Sequence, residues 1–274
     1  MMNLKTVTKN YEVIKGEVGL PLLAHIPHSS TIMPPDVRKT LTVSDTALSL
    51  EILKMTDWFV DELFSCVPEM GGTSFIYKIS RLVVDPERFE DDQKEIMASK
   101  GMGVIYTKTS HGDDLRAVFD TDQREALLDR FYRPYHRALE EEVQTTLDHF
   151  DLALILDCHS FPSKPLPYEN DQDPDRPDIC LGTSSFHTPA KLISTAKAFF
   201  RKSALTVAID KPFEGTFIPL PYHQSESRVL SLMVEINRKL YMDEESGQKL
   251  GSFNEIKSMI AHMVNHIREG FLRT

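Results

Sequence analysis

The chain has 274 residues, with 41 acidic against 31 basic side chains and a formal charge of −10. Hydrophobic residues at 41% and charged residues at 26% exclude a mostly disordered or fibrous chain, and the acidic surplus argues against nucleic acid as the main partner. The longest apolar runs, such as 152–156, are far too short to cross a bilayer, the first residues lack the apolar centre of a signal peptide, and three scattered cysteines (Cys66, Cys158, Cys180) fit a reducing, cytoplasmic setting.

Along the chain, residues 20–26 read as a buried strand that runs into Pro27-His28-Ser29-Ser30. Residues 45–66 read as a helix, with Leu48, Ile52, Met55, Phe59 and Leu63 near helical spacing. A strand is expected over 79–85. Residues 122–150 predict a long helix on Phe131, Tyr135, Leu139, Val143 and Leu147, which Pro134 kinks or breaks. Residues 151–157 form an apolar strand that ends in Cys158-His159-Ser160. Short strands at 178–181 and 205–209 flank a helix at 189–203. A strand or buried segment at 229–236 and a helix at 252–271 close the chain. Such alternation predicts an α/β fold, a largely parallel sheet with helices on both faces. No linker or repeat interrupts it, so a single domain over 1–274 is expected. Sites in such sheets gather at the carboxyl ends of strands.

Ten histidines are present. His262 and His266 are four apart on the last helix, but Met263 stands where a zinc protease helix carries glutamate. That pair reads as helix surface. His136, His149 and His187 read as solvated or capping residues. His28 and His159 both follow apolar strands. Two imidazoles at strand ends and one carboxylate are the ligand set of a hydrolytic zinc site, with a fourth position left for water. Asp57, Asp61, Asp85 and Glu51 are the candidate carboxylates, and spacing does not choose among them. His25 and His28 on one extended strand point to opposite faces, so they are not taken as a ligand pair. Cys158 diverges from His159 for the same reason and reads as core. Ser29, Ser30 and Ser160 lack a nucleophile-elbow pattern. Arg81 and Arg88 offer either ordinary ion pairs or a fork for a substrate carboxylate. Glu235, inside the apolar run 229–237, is either on an exposed strand face or a general base.

Six segments, in order, resemble the N-formylglutamate amidohydrolase family. They are PHSS (27–30), TDWFVDELF (56–64), SRLVVDPER (80–88), PYHRAL (134–139), LDCHS (156–160) and MVEINRKLYM (233–242). The family resembles zinc carboxypeptidases in its core, and its named member removes formate from N-formyl-L-glutamate at the end of a histidine-degradation route. The resemblance implies a three-layer αβα fold with a mixed, largely parallel sheet, like that of the zinc exopeptidases. It implies Zn2+ held by His28, Asp57 and His159. Glu235 would stand in the place of the carboxypeptidase glutamate, Arg81 would steady the oxyanion, and Arg88 would clamp the substrate carboxylate. Two departures stand out. The family's usual Asn before the second arginine is Glu87 here. In the segment 213–228, Pro219 stands where an arginine is expected, and Arg228 is the candidate to compensate.

The expected function is therefore zinc-dependent hydrolysis of an N-acylated, carboxylate-bearing small molecule, N-formyl-L-glutamate first among them. The alternatives are an exopeptidase or deacylase for a different N-acyl or peptide substrate, and a catalytically silent binding protein of the same fold.

Overall fold

A computed structural model of the protein describes residues 9–117 and 120–272. Its strands are β1 (Tyr11–Lys15), β2 (Leu22–Ile26), β3 (Thr73–Tyr77), β4 (Ala153–Phe161), β5 (Ile179–Gly182), β6 (Val207–Ile209) and β7 (Val229–Asn237). Its α-helices are α1 (Pro35–Arg38), α2 (Asp45–Met55), α3 (Val60–Leu63), α4 (Cys66–Glu69), α5 (Thr121–Leu127), α6 (Arg133–Phe150), α7 (Ala190–Lys202) and α8 (Phe253–Ile267). The strands form one sheet in the order β1-β3-β2-β4-β7-β5-β6. The central ladders β3/β2, β2/β4 and β4/β7 are parallel, whereas β1/β3 and β5/β7 are antiparallel. The sheet is thus mixed and largely parallel, as the family resemblance implies.

Side-chain alternation divides the core. Along β4, Ala153 and Ile155 face one side, while Leu154, Leu156 and Cys158 face the other. On the first side α6 packs Tyr135, Leu139, Val143 and Leu147, spaced four apart so that they share one face. On the second side α7 brings Leu192, Ala196 and Phe200, and α8 brings Ile260, Met263, Val264 and Ile267. Each fully buried aliphatic side chain contributes about 1.5–3 kcal/mol of transfer free energy to this packing. The result is the three-layer arrangement.

Three elements differ from the sequence expectation. Residues 79–85 are not a strand; the strand is β3, and the apolar residues Ile79, Leu82, Val83 and Val84 are buried in an irregular segment. Its backbone is satisfied piecemeal, with Ser80 N–H on the Ile32 carbonyl and Asp85 N–H on the Val104 carbonyl. An apolar run reports burial, and ladder partners decide whether it is a strand. The helix expected over 45–66 is two helices, α2 and α3, because the chain turns at Thr56–Phe59, where Phe59 has φ 62°, and α4 begins only at Cys66. The long helix over 122–150 is continuous but passes through a π-helical turn at Leu128–Tyr132, just ahead of Pro134. The missing proline N–H and the widened turn are matched features.

Candidate active site

β2, β4 and β7 lie side by side and parallel, so their carboxyl ends open on the same rim. His28 lies just beyond β2. His159 is near the end of β4, and Glu235 is its register partner on β7. The turn after α2 adds Asp57, whose N–H donates to the His28 carbonyl at 3.0 Å. The interruption of the predicted helix is therefore what carries Asp57 into the site. The left-handed Phe59 beside it holds a conformation that disfavours most L residues by roughly 1–2 kcal/mol.

Two relays of like design hold the imidazoles. His28 Nε2 lies 2.9 Å from Asp85 Oδ1, and Asp85 Oδ2 accepts from Arg81 Nε at 3.2 Å and Nη2 at 2.7 Å. His159 Nδ1 lies 3.0 Å from Asp57 Oδ2, and Asp57 Oδ1 accepts from Arg238 Nη2 at 3.0 Å. Arg238 is itself fixed by Ser160 and by the Lys54 carbonyl. The second ring nitrogens turn towards Glu87, with His159 Nε2 at 3.2 Å and His28 Nδ1 at 3.6 Å from its oxygens. Buried His28 Nδ1 has no hydrogen-bond partner. A further pair joins the cluster: His25 Nδ1 lies 2.9 Å from Asp157 Oδ1, which is also 3.0 Å from His159 Nε2.

Burial works against ionisation of Asp57 and Asp85, yet both are held below the usual carboxylate range. His159 and His28 do this for Asp57, and Arg81 and His28 for Asp85. Burial also opposes protonation of His159, but Glu87, Asp157 and Asp57 outweigh it and raise its pKa. Glu235 goes the other way. Burial pushes its carboxyl up to about 8, with the His159 charge opposing, and its Oε2 has no hydrogen-bond partner.

Among the described residues, one ligand atom from each of His28, Glu87 and His159 lies within 4.8 Å of the others, and the same holds for His25, Glu87 and Asp157. An orphaned imidazole nitrogen facing carboxylate oxygens is a donor set that suits a borderline divalent cation. The site opens into a cavity of about 950 Å3. Arg81 and Arg88 stand on its wall. Arg88 Nε has no hydrogen-bond partner and is 4.0 Å from Asp85 and from Glu95. Glu235 is also on the wall, so it is not on an exposed strand face.

The structure brings His28, Asp57, Arg81, Arg88, His159 and Glu235 together. It does not bring Arg228. That side chain pairs with Glu226 and Asp151 on the surface, and its carbonyl accepts from Ala153 N–H at the amino ends of β7 and β4. Seven residues of extended chain separate it from Glu235, roughly 23 Å at 3.3 Å per residue. The expectation that it compensates for Pro219 is therefore corrected: neighbours in sequence lie on opposite rims of the sheet. Of the other candidate carboxylates, Glu51 binds Ser110 through its backbone N–H and hydroxyl, Asp61 lies off the cavity wall, and Asp85 serves His28. His187 is not solvated; it is fully buried, donating to the Val229 carbonyl and accepting from Gln224 N–H. His136 lines the cavity, while His149 and His262 are exposed. Cys158 is core, as expected.

Sequence reasoning passed over Asp157 and Arg238, saw Glu87 only as a departure, and set His25 aside as facing away from His28, whereas both imidazoles meet Glu87, at 3.5 and 3.6 Å. A signal existed for two of them: Asp157 ends an apolar strand run, and Arg238 follows another directly after Asn237.

Fold and cluster together define the class: a three-layer α/β protein with an imidazole–carboxylate site at the strand ends. The sequence profile of the N-formylglutamate amidohydrolase family matches residues 20–242, and the chain belongs to that family. It is 29% identical over 244 residues to the N-formylglutamate deformylase of Pseudomonas aeruginosa, covering 86% of this chain and 87% of that one. The N-formylglutamate deformylase of Pseudomonas putida is 26% identical over 230 residues, covering 82% and 83%. Among solved structures, the N-formylglutamate amidohydrolase of Ralstonia eutropha JMP134 superposes with a TM-score of 0.82 at 25% identity, over 96% of this chain and 98% of that one. A protein of Agrobacterium tumefaciens shares the fold, with a TM-score of 0.67 at 18% identity over 95% of each chain.

Proposed function

We propose that the protein is an amidohydrolase that cleaves N-formyl-L-glutamate with water to formate and L-glutamate, and that its site holds zinc. The observation that carries this is the meeting of His28, His159 and Glu235 on one cavity wall, in a chain whose relatives are N-formylglutamate deformylases. His28 and His159 with one carboxylate, Asp57 in the sequence reading, would hold the metal. A divalent ion so held polarises an amide carbonyl and lowers the pKa of water towards about 7.

The chain's own groups do the rest. Glu235 is buried with one oxygen unpartnered, so it accepts a proton from the attacking water and passes it to the leaving nitrogen. Arg88, whose partly exposed side chain stands on the cavity wall, offers its guanidinium to the substrate carboxylate. Arg81, locked on Asp85, keeps positive charge beside the reacting carbonyl.

The test is formate release from N-formyl-L-glutamate, run beside N-acetyl and dipeptide substrates, before and after metal removal by a chelator. Preference for the formyl substrate, lost on chelation and restored by zinc, is the expected result. The cavity is roomy for so small a substrate, and preference for a longer acyl or peptidyl group would move the function to a deacylase or exopeptidase. No hydrolysis of any of them by the zinc-loaded protein would indicate a silent binding protein. Glu235→Gln should keep zinc and lose turnover by about 100-fold or more, as removal of a general base does; near wild-type rates would remove Glu235 from the mechanism.

A further inference from the structure

We propose that Glu87 supplies the carboxylate ligand of the metal centre, and that Asp57 is a positioning residue for His159. This rests on the metal-dependent reading above and reassigns one ligand within it. Asp57 is already committed at both oxygens, Oδ1 to Arg238 and Oδ2 to His159 Nδ1. Asp85 is committed in the same way, between Arg81 and His28 Nε2. Each of these aspartates is charge-balanced by an arginine and hydrogen-bonds one nitrogen of one imidazole, Asp57 Oδ2 lying also 3.7 Å from His28 Nδ1. That is how a metal-ligating histidine is commonly oriented: one ring nitrogen donates to a carboxylate and the other is presented to the ion.

The presented nitrogens are then His28 Nδ1 and His159 Nε2, and both face Glu87. Where the two aspartates each meet an arginine, Glu87 meets three imidazoles, the third being His25 Nδ1 at 3.5 Å. Its side chain is 13% exposed, on the cavity side of an otherwise buried cluster. Asp157 also reaches His159 Nε2, but its Oδ1 is shared with His25 and its Oδ2 accepts from Phe217 N–H. Asp157 is thus anchored to the sheet, whereas Glu87 projects from a turn. Two imidazoles and the Glu87 carboxylate leave a fourth position open to the cavity for water.

Zinc binding and cobalt spectra test this without reference to activity. Glu87→Gln should weaken zinc binding by roughly 100-fold or more, at or beyond the limit for loss of an orienting partner, with the melting temperature of the metal-free protein unchanged. In the cobalt-loaded protein, Glu87→Cys should show thiolate-to-cobalt charge-transfer absorption, and Asp57→Cys should not. Wild-type zinc affinity in Glu87→Gln overturns the assignment. So does cobalt bound to Glu87→Cys without that absorption, or the absorption appearing in Asp57→Cys alone. If the unmodified protein takes up neither metal, the metal-dependent reading itself falls, and the Glu87 assignment with it.

Discussion

His136 stands on the cavity wall with its ring against Tyr132, centroids 4.1 Å apart, and its Nε2 sealed from solvent without a partner. Burial, followed by the His25 charge, lowers its pKa from 6.5 to about 4. The sign follows from proton counting. Between those values the unfolded chain binds a proton that the folded chain refuses, so acidification favours unfolding. The contribution is fully present above about 6.5 and is lost as pH falls towards 4. Urea unfolding at pH 7 and pH 5 should show wild type losing more stability than His136→Gln over that interval; parallel losses would refute it. Little of this was legible in the sequence, where His136 is one polar residue on a helix. Burial depends on what Phe217 and Tyr132 place beside it.

Elements were more legible than residues where they are regular. The spacing of Tyr135, Leu139, Val143 and Leu147 located α6, and the apolar run before His159 located β4. Junctions were not legible. The turn at 56–59 follows from its contact with the His28 carbonyl, a partner 29 positions away. The end of β5 is another such junction. A Cβ on Gly182 would fall 2.0 Å from the Gly215 carbonyl and 2.4 Å from Met233 Cε, both on residues that line the cavity. Backbone must then move, and crowding of this kind costs about 1–3 kcal/mol. Gly182→Ala should therefore lower stability in urea titration and also raise KM for the formyl substrate. An unchanged KM would mean that the shift is absorbed away from the cavity.

For the molecule as a whole, parallel strands set a direction: amino ends on one rim, carboxyl ends and chemistry on the other. Arg228 belongs to the first rim, bound to Glu226 and Asp151 at the surface. Arg228→Ala should leave kcat/KM unchanged, and a large loss would return it to the substrate site. Fold class and family were readable from the order of amino acids alone, as were six residues that the structure gathers on one cavity wall, because hydrophobic periodicity and six ordered segments are local properties of the chain. Only the tertiary structure decided which carboxylate meets which imidazole. Asp57, Asp85, Asp157 and Glu87 are alike as letters. They differ in whether an arginine, a backbone N–H or only histidines stand within a few ångströms, and that is settled by parallel register and by turns between distant segments.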